Sequence, residues 1–315
     1  MADQAQPSTS SSYTSESSEE DDAQQSDEGQ DRSGGDEDVI NVDLEFFDPS
    51  EIDYHGLKML LRSLLDAEDF PGCTDLVEAI IRQRSVGTVV KTAETDDPIG
   101  VATVLNLSRH STLSGLQNLK AFLMNHCPTK ELQASLNEAW AMDGAGVVIN
   151  ERLLNCPPQL ASPLHHGLFD EEIPWAVEDE PTEELRHSFD FKYYLFISRV
   201  YQDMFQEDGK QAAAQQGASK PRKRQKVQTT EKRGSGVVYT RPEDQFYHQH
   251  SSWSFLFPTN NRPTRKDELQ PLRIVMWLKS AAARAARLEL YKAIGNMAIG
   301  QEPEPLLQGA ASKVQ

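Results

Sequence analysis

The stretch "FDFKYYLFISRVY", Phe189 to Tyr201, is the most β-prone run of the chain. Its density of aromatic and β-branched side chains reads as a strand. Before it, the spacing of Leu160, Leu164 and Leu168 after Pro157 and Pro158 predicts a helix, and "GVVINERLL", beginning near Gly146, predicts another strand. After it come "VVYT", the helix-prone "RPEDQFYHQH", and the strand candidates "SWSFLFP" and "LRIVMWL". A last helix is expected from about Lys279 to Ile294, with Ala283, Ala286, Leu290 and Ile294 on one face and Gly295 placed to end it. The mixture implies a sheet covered by helices.

The N-terminal half extends the same pattern. "VINVDLEFF", Val39 to Phe47, is expected as a strand, and Asp53 as the cap of a helix whose Tyr54, Leu57, Leu60, Leu61, Leu64 and Leu65 share one face. A second helix is predicted over Thr74–Gln83. The β-rich runs "VGTVVK" and "IGVATVLNL" flank the polar turn "TAETDDP" and should pair as a hairpin. Helical patterns resume in "SGLQNLKAFLMNH" and "KELQASLNEAW".

Composition sets the boundaries. The chain has 315 residues, 38% of them hydrophobic, and a net charge of -18. Residues 1–38 are Ser-rich, carry acids against the lone base Arg32, and hold almost no large apolar side chains, so they cannot bury enough surface to offset the entropy of ordering. Residues 205–235 break the apolar period with low complexity. The expected layout is a disordered acidic tail over 1–38, one domain over 39–204 and 236–296 interrupted by a flexible basic insertion over 205–235, and a flexible C-terminus over 297–315. No apolar run approaches the ~20 residues that span a bilayer, and the N-terminus lacks a basic and then an apolar region, so no membrane or secretory role is expected. Cys73, Cys127 and Cys156 have no C-x-x-C spacing and read as reduced intracellular thiols.

Four patterns invite a chemical reading. Cys156 lies near His165 and His166, but two histidines adjacent on a helix point about 100° apart, and sequence supplies no orienting carboxylate or oxyanion hole. Neither a thiol site nor a metal site is expected there. Gly144 and Gly146 in "MDGAGVV" have the spacing of a phosphate-cradling loop, yet such loops lead into a helix and this one leads into "VVIN"; a hairpin turn at Asp143-Gly144 is the simpler expectation, and no cofactor is assigned. "DEEIPWAVEDEPTEE" carries Asp170, Glu171, Glu172, Glu178, Asp179, Glu180, Glu183 and Glu184 without a base. A solvated acidic loop is the plain alternative, but Trp175 in a field of one sign is suited to recognising a basic partner and repelling nucleic acid. The insertion holds Lys220, Arg222, Lys223, Arg224 and Lys226, a short cluster that a nuclear import receptor would read as a localisation signal. It lacks the interleaved aromatics that stack bases, so direct nucleic-acid binding is not expected.

The combined order of "VDLEFFDP", "DYHGLK", "LLNCPPQLASPLHHGL", "YYLFISRVY", "EDQFYHQHSSWSFLF" and "LRIVMWL" resembles the BCCIP family over about residues 39 to 295. The resemblance implies a GNAT-like α/β fold, a mixed sheet flanked by helices, without known acetyltransferase activity. Acetyltransferases hold coenzyme A with Arg or Gln, two residues, Gly, one residue, then Gly or Ala; the matching spacing here starts at Ala141, which lacks that side chain. The family's pattern commonly has an apolar residue where Cys156 stands, which implies packing. The resemblance further implies a nuclear, non-enzymatic escort of a basic large-subunit ribosomal protein, the universal fourteenth, in ribosome biogenesis and nuclear export. Animal members are linked to the BRCA-two repair protein and to the cyclin-dependent kinase inhibitor p-twenty-one. A scaffold in DNA repair and cell-cycle control, with those proteins as partners, is therefore the alternative expectation, and a divergent acyltransferase a further one.

Overall fold

The computed structural model describes residues 43–65, 71–202, 236–258 and 269–295. In chain order the elements are β1 (Glu45–Phe47), α1 (Tyr54–Leu65), α2 (Cys73–Arg82), β2 (Thr88–Lys91), β3 (Gly100–Asn106), α3 (Ser114–His126), α4 (Lys130–Ala141), β4 (Ala145–Arg152), α5 (Ala161–His166), a π-turn (Gly167–Glu172), α6 (Ile173–Asp179), α7 (Glu183–Ser188), β5 (Tyr193–Gln202), β6 (Val237–Tyr239), α8 (Glu243–His250), β7 (Trp253–Pro258), β8 (Gln270–Lys279) and α9 (Ser280–Ala293). These elements all belong to a unit that runs from Val42 to Gln315. The acidic tail, the basic insertion with Lys220 to Lys226 and the C-terminus lie outside the described residues.

β5, the strand expected at Phe189–Tyr201, sits at the middle of an eight-stranded sheet ordered β1-β2-β3-β4-β5-β8-β7, with β6 also paired to β5. Its side chains alternate between two cores. Tyr194, Phe196 and Val200 join Val104, Val148, Ile274 and Met276 under α5, α6, α8 and α9. Leu195 and Ile197 join Val101, Val147, Val275 and Trp277 under α1 to α4. A period of two on a strand buried on both faces builds a helix–sheet–helix sandwich, which is the mixed α/β fold the resemblance implied.

Every described strand pair is antiparallel except β4 with β5. A parallel neighbour demands a crossover, and residues between β4 and β5 supply it as α5, the π-turn, α6 and α7. The parallel ladder covers only Ala145–Val148 against Tyr193–Phe196. Beyond it β4 parts from β5, and β6 takes up the same edge at Val200–Gln202.

Several expectations hold in detail. β2 and β3 pair as the predicted hairpin. Leu57, Leu60, Leu61, Leu64 and Leu65 of α1 are buried, and the guanidinium of Arg273 donates to the Leu64 carbonyl at 2.8 Å, satisfying an orphan helix-end acceptor. Others need correction. Asp53 does not cap α1: it ends the 3-10 turn Glu51–Asp53, accepts from Ser50 N–H at 2.8 Å, and forms a buried ion pair with Lys91 at 2.5 Å. Of the expected Val39–Phe47 strand, only Glu45–Phe47 pairs among the described residues. Asp143-Gly144 is not a hairpin but the turn from α4 into β4, where Gly144 adopts φ 66°. Its carbonyl accepts from Lys192 at 2.8 Å and so starts the parallel ladder. Among the described residues no helix is long and apolar enough to cross a membrane.

Candidate partner-binding surface

The crossover that the parallel pair requires also carries the acidic segment. That segment is helical rather than a loop, because Leu164, Leu168, Phe169, Ile173 and Ala176 recur at helical spacing and all bury against the sheet. Helical geometry then sorts the acids by direction. Asp170 points toward α9 and accepts from Arg287 Nη2 at 2.9 Å and from the Tyr291 hydroxyl at 2.8 Å. Burial pushes its carboxyl up, but those two donors hold it below the usual range. Glu172 points toward β2 and accepts from Gly87 N–H at 2.6 Å and from the Thr88 hydroxyl. Burial raises its pKa. Both therefore brace the crossover against neighbouring elements.

The remaining acids face water. Glu171, Glu178, Asp179, Glu183 and Glu184 are exposed, with Glu180 half-buried. Thr182 caps α7 by accepting from Leu185 N–H at 3.2 Å, and Glu183 and Glu184 occupy its first turn, where the helix dipole favours them. Trp175 stands among them with 51% of its surface exposed, against the usual fate of so large an apolar side chain. Beside it opens a groove of about 770 Å³ whose walls include Trp175, Glu171, Glu172, Leu185 and Phe189.

The same groove is also lined by Arg82, Arg84 and Arg109, which sequence reasoning missed. They come from the ends of α2 and β3, and only folding brings them there. Buried Gln83 fixes the first two by donating to the carbonyls of Val86 at 2.8 Å and Val104 at 2.9 Å. Asn106 fixes the third: its carbonyl oxygen accepts from Arg109 N–H at 2.9 Å while its amide donates to Ser188 O at 2.7 Å. Trp175 thus shares its groove with side chains of both charges.

The thiol and the histidines have separate structural partners. Cys156 Sγ donates to the Ile99 carbonyl at 3.6 Å, and burial pushes its thiol up, away from the reactive thiolate. His165 is buried, and its ring nitrogens meet Asn150 at 3.1 Å and the Tyr247 hydroxyl. Because the Asn150 amide donates to Nε2, Nδ1 carries the proton and donates to Tyr247. Burial lowers its pKa to about 3. His166 is exposed beside Asp170 and Glu171. Gly146 packs so tightly that a Cβ would come within 2.5 Å of Val104 and 2.7 Å of Phe191. Among the described residues no group of three or more His, Cys, Asp or Glu side chains is placed to hold a metal ion.

A second constellation fills the gap where β4 leaves β5. Arg152 pairs with Glu243 at 2.5 Å, while Arg241 pairs with Glu151 at 3.1 Å and Asp244 at 3.0 Å. Asn150 Nδ2 reaches Glu243 at 3.3 Å, and Ser198 donates to Asp244. Burial works against ionised Glu243, but Arg152 holds its carboxyl below the usual range; burial raises Asp244 even with Arg241 beside it. Buried charges of this kind persist only when paired, so the set locks α8 into the sheet. Its sequence signal was faint: "RPED" reads as an ordinary helix start.

Comparison with known proteins places the chain among relatives. The profile of the BCCIP family matches residues 39–247. The chain is 36% identical to the protein BCCIP homolog of Arabidopsis thaliana over 75% of this chain and 68% of that one. It is 31% identical to the protein bcp1 of Emericella nidulans, over 70% of this chain and 73% of the relative. Among solved structures, BCP1 of Saccharomyces cerevisiae superposes with a TM-score of 0.52 at 18% identity, covering 84% of this chain and 93% of that one, a likeness of fold.

Proposed function

The chain belongs to the BCCIP family, and we propose that it acts as a non-enzymatic nuclear binding protein that escorts a basic large-subunit ribosomal protein, the universal fourteenth, in ribosome biogenesis and nuclear export. The observation that carries this reading is exposed Trp175 set among solvent-facing Glu171, Glu178, Asp179, Glu183 and Glu184, on a crossover held rigid by Asp170 and Glu172. Ribosomal proteins are rich in Lys and Arg and bind stray RNA unless masked. The solvent-facing acids and the aromatic anchor beside them compete for those side chains. The non-enzymatic part is supported by the bonds that hold Cys156 and His165 in structural roles, and by Gly144 and Gly146 serving a turn and a tight strand contact. Entry to the nucleus is assigned to Lys220, Arg222, Lys223, Arg224 and Lys226.

The test is mass spectrometry of proteins that co-purify from nuclear extract with the full chain, and with a variant carrying W175A and neutral amides at Glu171, Glu178, Asp179, Glu183 and Glu184. Enrichment of one basic ribosomal protein that the variant loses supports the escort reading. Repair or cell-cycle factors retained by both proteins in its place favour the scaffold, and calorimetric binding of coenzyme A favours the acyltransferase. Alanine at the five basic positions of the insertion is expected to leave the protein in the cytoplasm; continued nuclear accumulation removes the import assignment.

A further inference from the structure

We propose that the pocket between α1, the end of β4 and the β6–α8 connection is a second binding site, taking a carboxylate side chain that a partner peptide presents between apolar residues. The pocket holds about 120 Å³; its lining joins Met59, Leu60, Leu153 and Leu154 to Arg152, Arg199 and Arg241, with Glu151 and Thr240 beside them. So small a volume admits a side chain but not a backbone, so the peptide chain itself lies across the rim.

The floor is built for a planar anion. Arg152 has 4% of its side chain exposed; Nη2 is on Glu243, and buried Nη1 has no hydrogen-bond partner among the described residues. Its neighbour Arg241 is clamped between Glu151 and Asp244 and further donates to the Ile197 carbonyl at 3.4 Å. Both forks are thus oriented before any ligand arrives, so binding orders little on the protein side. A buried donor without a partner costs free energy, and a carboxylate oxygen is the acceptor that removes that cost most effectively. Charge decides against a phosphate. The three arginines share the site with Glu151, Glu243 and Asp244, so it lacks the strong positive field that draws a dianion.

Met59 is 64% exposed, Leu153 48% and Leu154 68%, and all three surround this one opening. Large apolar side chains grouped in water around a polar floor mark an interaction site. A peptide with leucine-like residues on each side of its acid would cover them. This site is separate from the Trp175 surface and differs from it in the sign of charge it takes.

The experiment uses the full chain and fluorescein-labelled acetyl-Leu-Glu-Leu-amide, its Leu-Gln-Leu analogue, and the variants M59D, L154D and W175A. Anisotropy is expected to show the Glu peptide binding about tenfold more tightly than the Gln peptide. M59D and L154D, both at exposed positions, are expected to abolish that preference while melting like the parent, and W175A to leave it unchanged. Equal binding of the two peptides, or none by either, overturns the proposal. So does acetate or inorganic phosphate competing as strongly as the peptide, because the apolar rim would then contribute nothing.

Discussion

Arg241→Met removes the clamp from the gap between β4 and β5 while keeping its volume nearly constant. Arg241 has 10% of its side chain exposed and pairs with Glu151 and with Asp244, itself 3% exposed. Deleting one member of a buried pair strands the other, and the cost is about 3 to 5 kcal/mol, dominated by the uncompensated carboxylates rather than by lost packing. For a domain of this size each kcal/mol moves the melting temperature by about 2 to 4 °C, so the variant should melt about 6 to 20 °C lower. Differential scanning calorimetry near neutral pH reads this directly. Adding Asp244→Asn to the same chain should cost less than it does alone, since the charge it removes has already lost its partner. A coupling above about 1 kcal/mol is expected from contact within one network. A loss of under about 4 °C with additive singles would refute the argument and make the ion network incidental to the seating of α8.

Other outcomes follow from the same packing. His165 has a folded pKa of about 3 and His110 of about 4, both lowered by burial from an ordinary 6.5, so the unfolded chain binds protons that the native one refuses. Stability is full above about pH 6.5 and should fall as pH drops toward those values, by up to about 1.4 kcal/mol per pH unit for each group; His165→Gln should lower the slope by about one proton in melts run between pH 7 and 4.5. Gly146→Ala drives a methyl against Val104 and Phe191 and should cost about 1 to 3 kcal/mol in urea titrations. Trp175→Ala removes an exposed side chain and should shift stability by no more than about 0.5 kcal/mol while weakening capture of the basic partner at least about fivefold in pull-downs. Charge reversal of Glu178, Asp179, Glu183 and Glu184 should flatten the salt dependence of that capture; unchanged affinity and salt slope would detach the partner from this ridge.

Local chemistry was enough to place most elements. Leu57, Leu60, Leu61, Leu64 and Leu65 lie at helical spacing and bury as one face, and the β-prone run ending at Tyr201 becomes the central strand, because periodicity of apolar side chains is a property of neighbours in the chain. The acidic segment was legible by composition as well, down to the odd tryptophan within it. Its shape was not: whether a run of acids with Ile173, Trp175 and Val177 is loop or helix depends on the sheet that receives Ile173 and Ala176. Asp53 looked like a cap because Asp is common there, and Lys91, a residue far along the chain, decided otherwise.

The elements and the presence of an acidic, tryptophan-bearing segment could be read from the chain alone, since each rests on side chains a few positions apart. It took the closed chain to make β4 and β5 run parallel and then separate, to bring Arg152, Arg241, Glu243 and Asp244 together in the gap, and to tie Asp170 to α9 and Glu172 to the start of β2 while Glu178 and Asp179 stay in water. Charges carry no periodicity that names their partners; desolvation selects those partners when the chain closes, and the selection acts between residues such as Arg152 and Glu243 that no local window brings together.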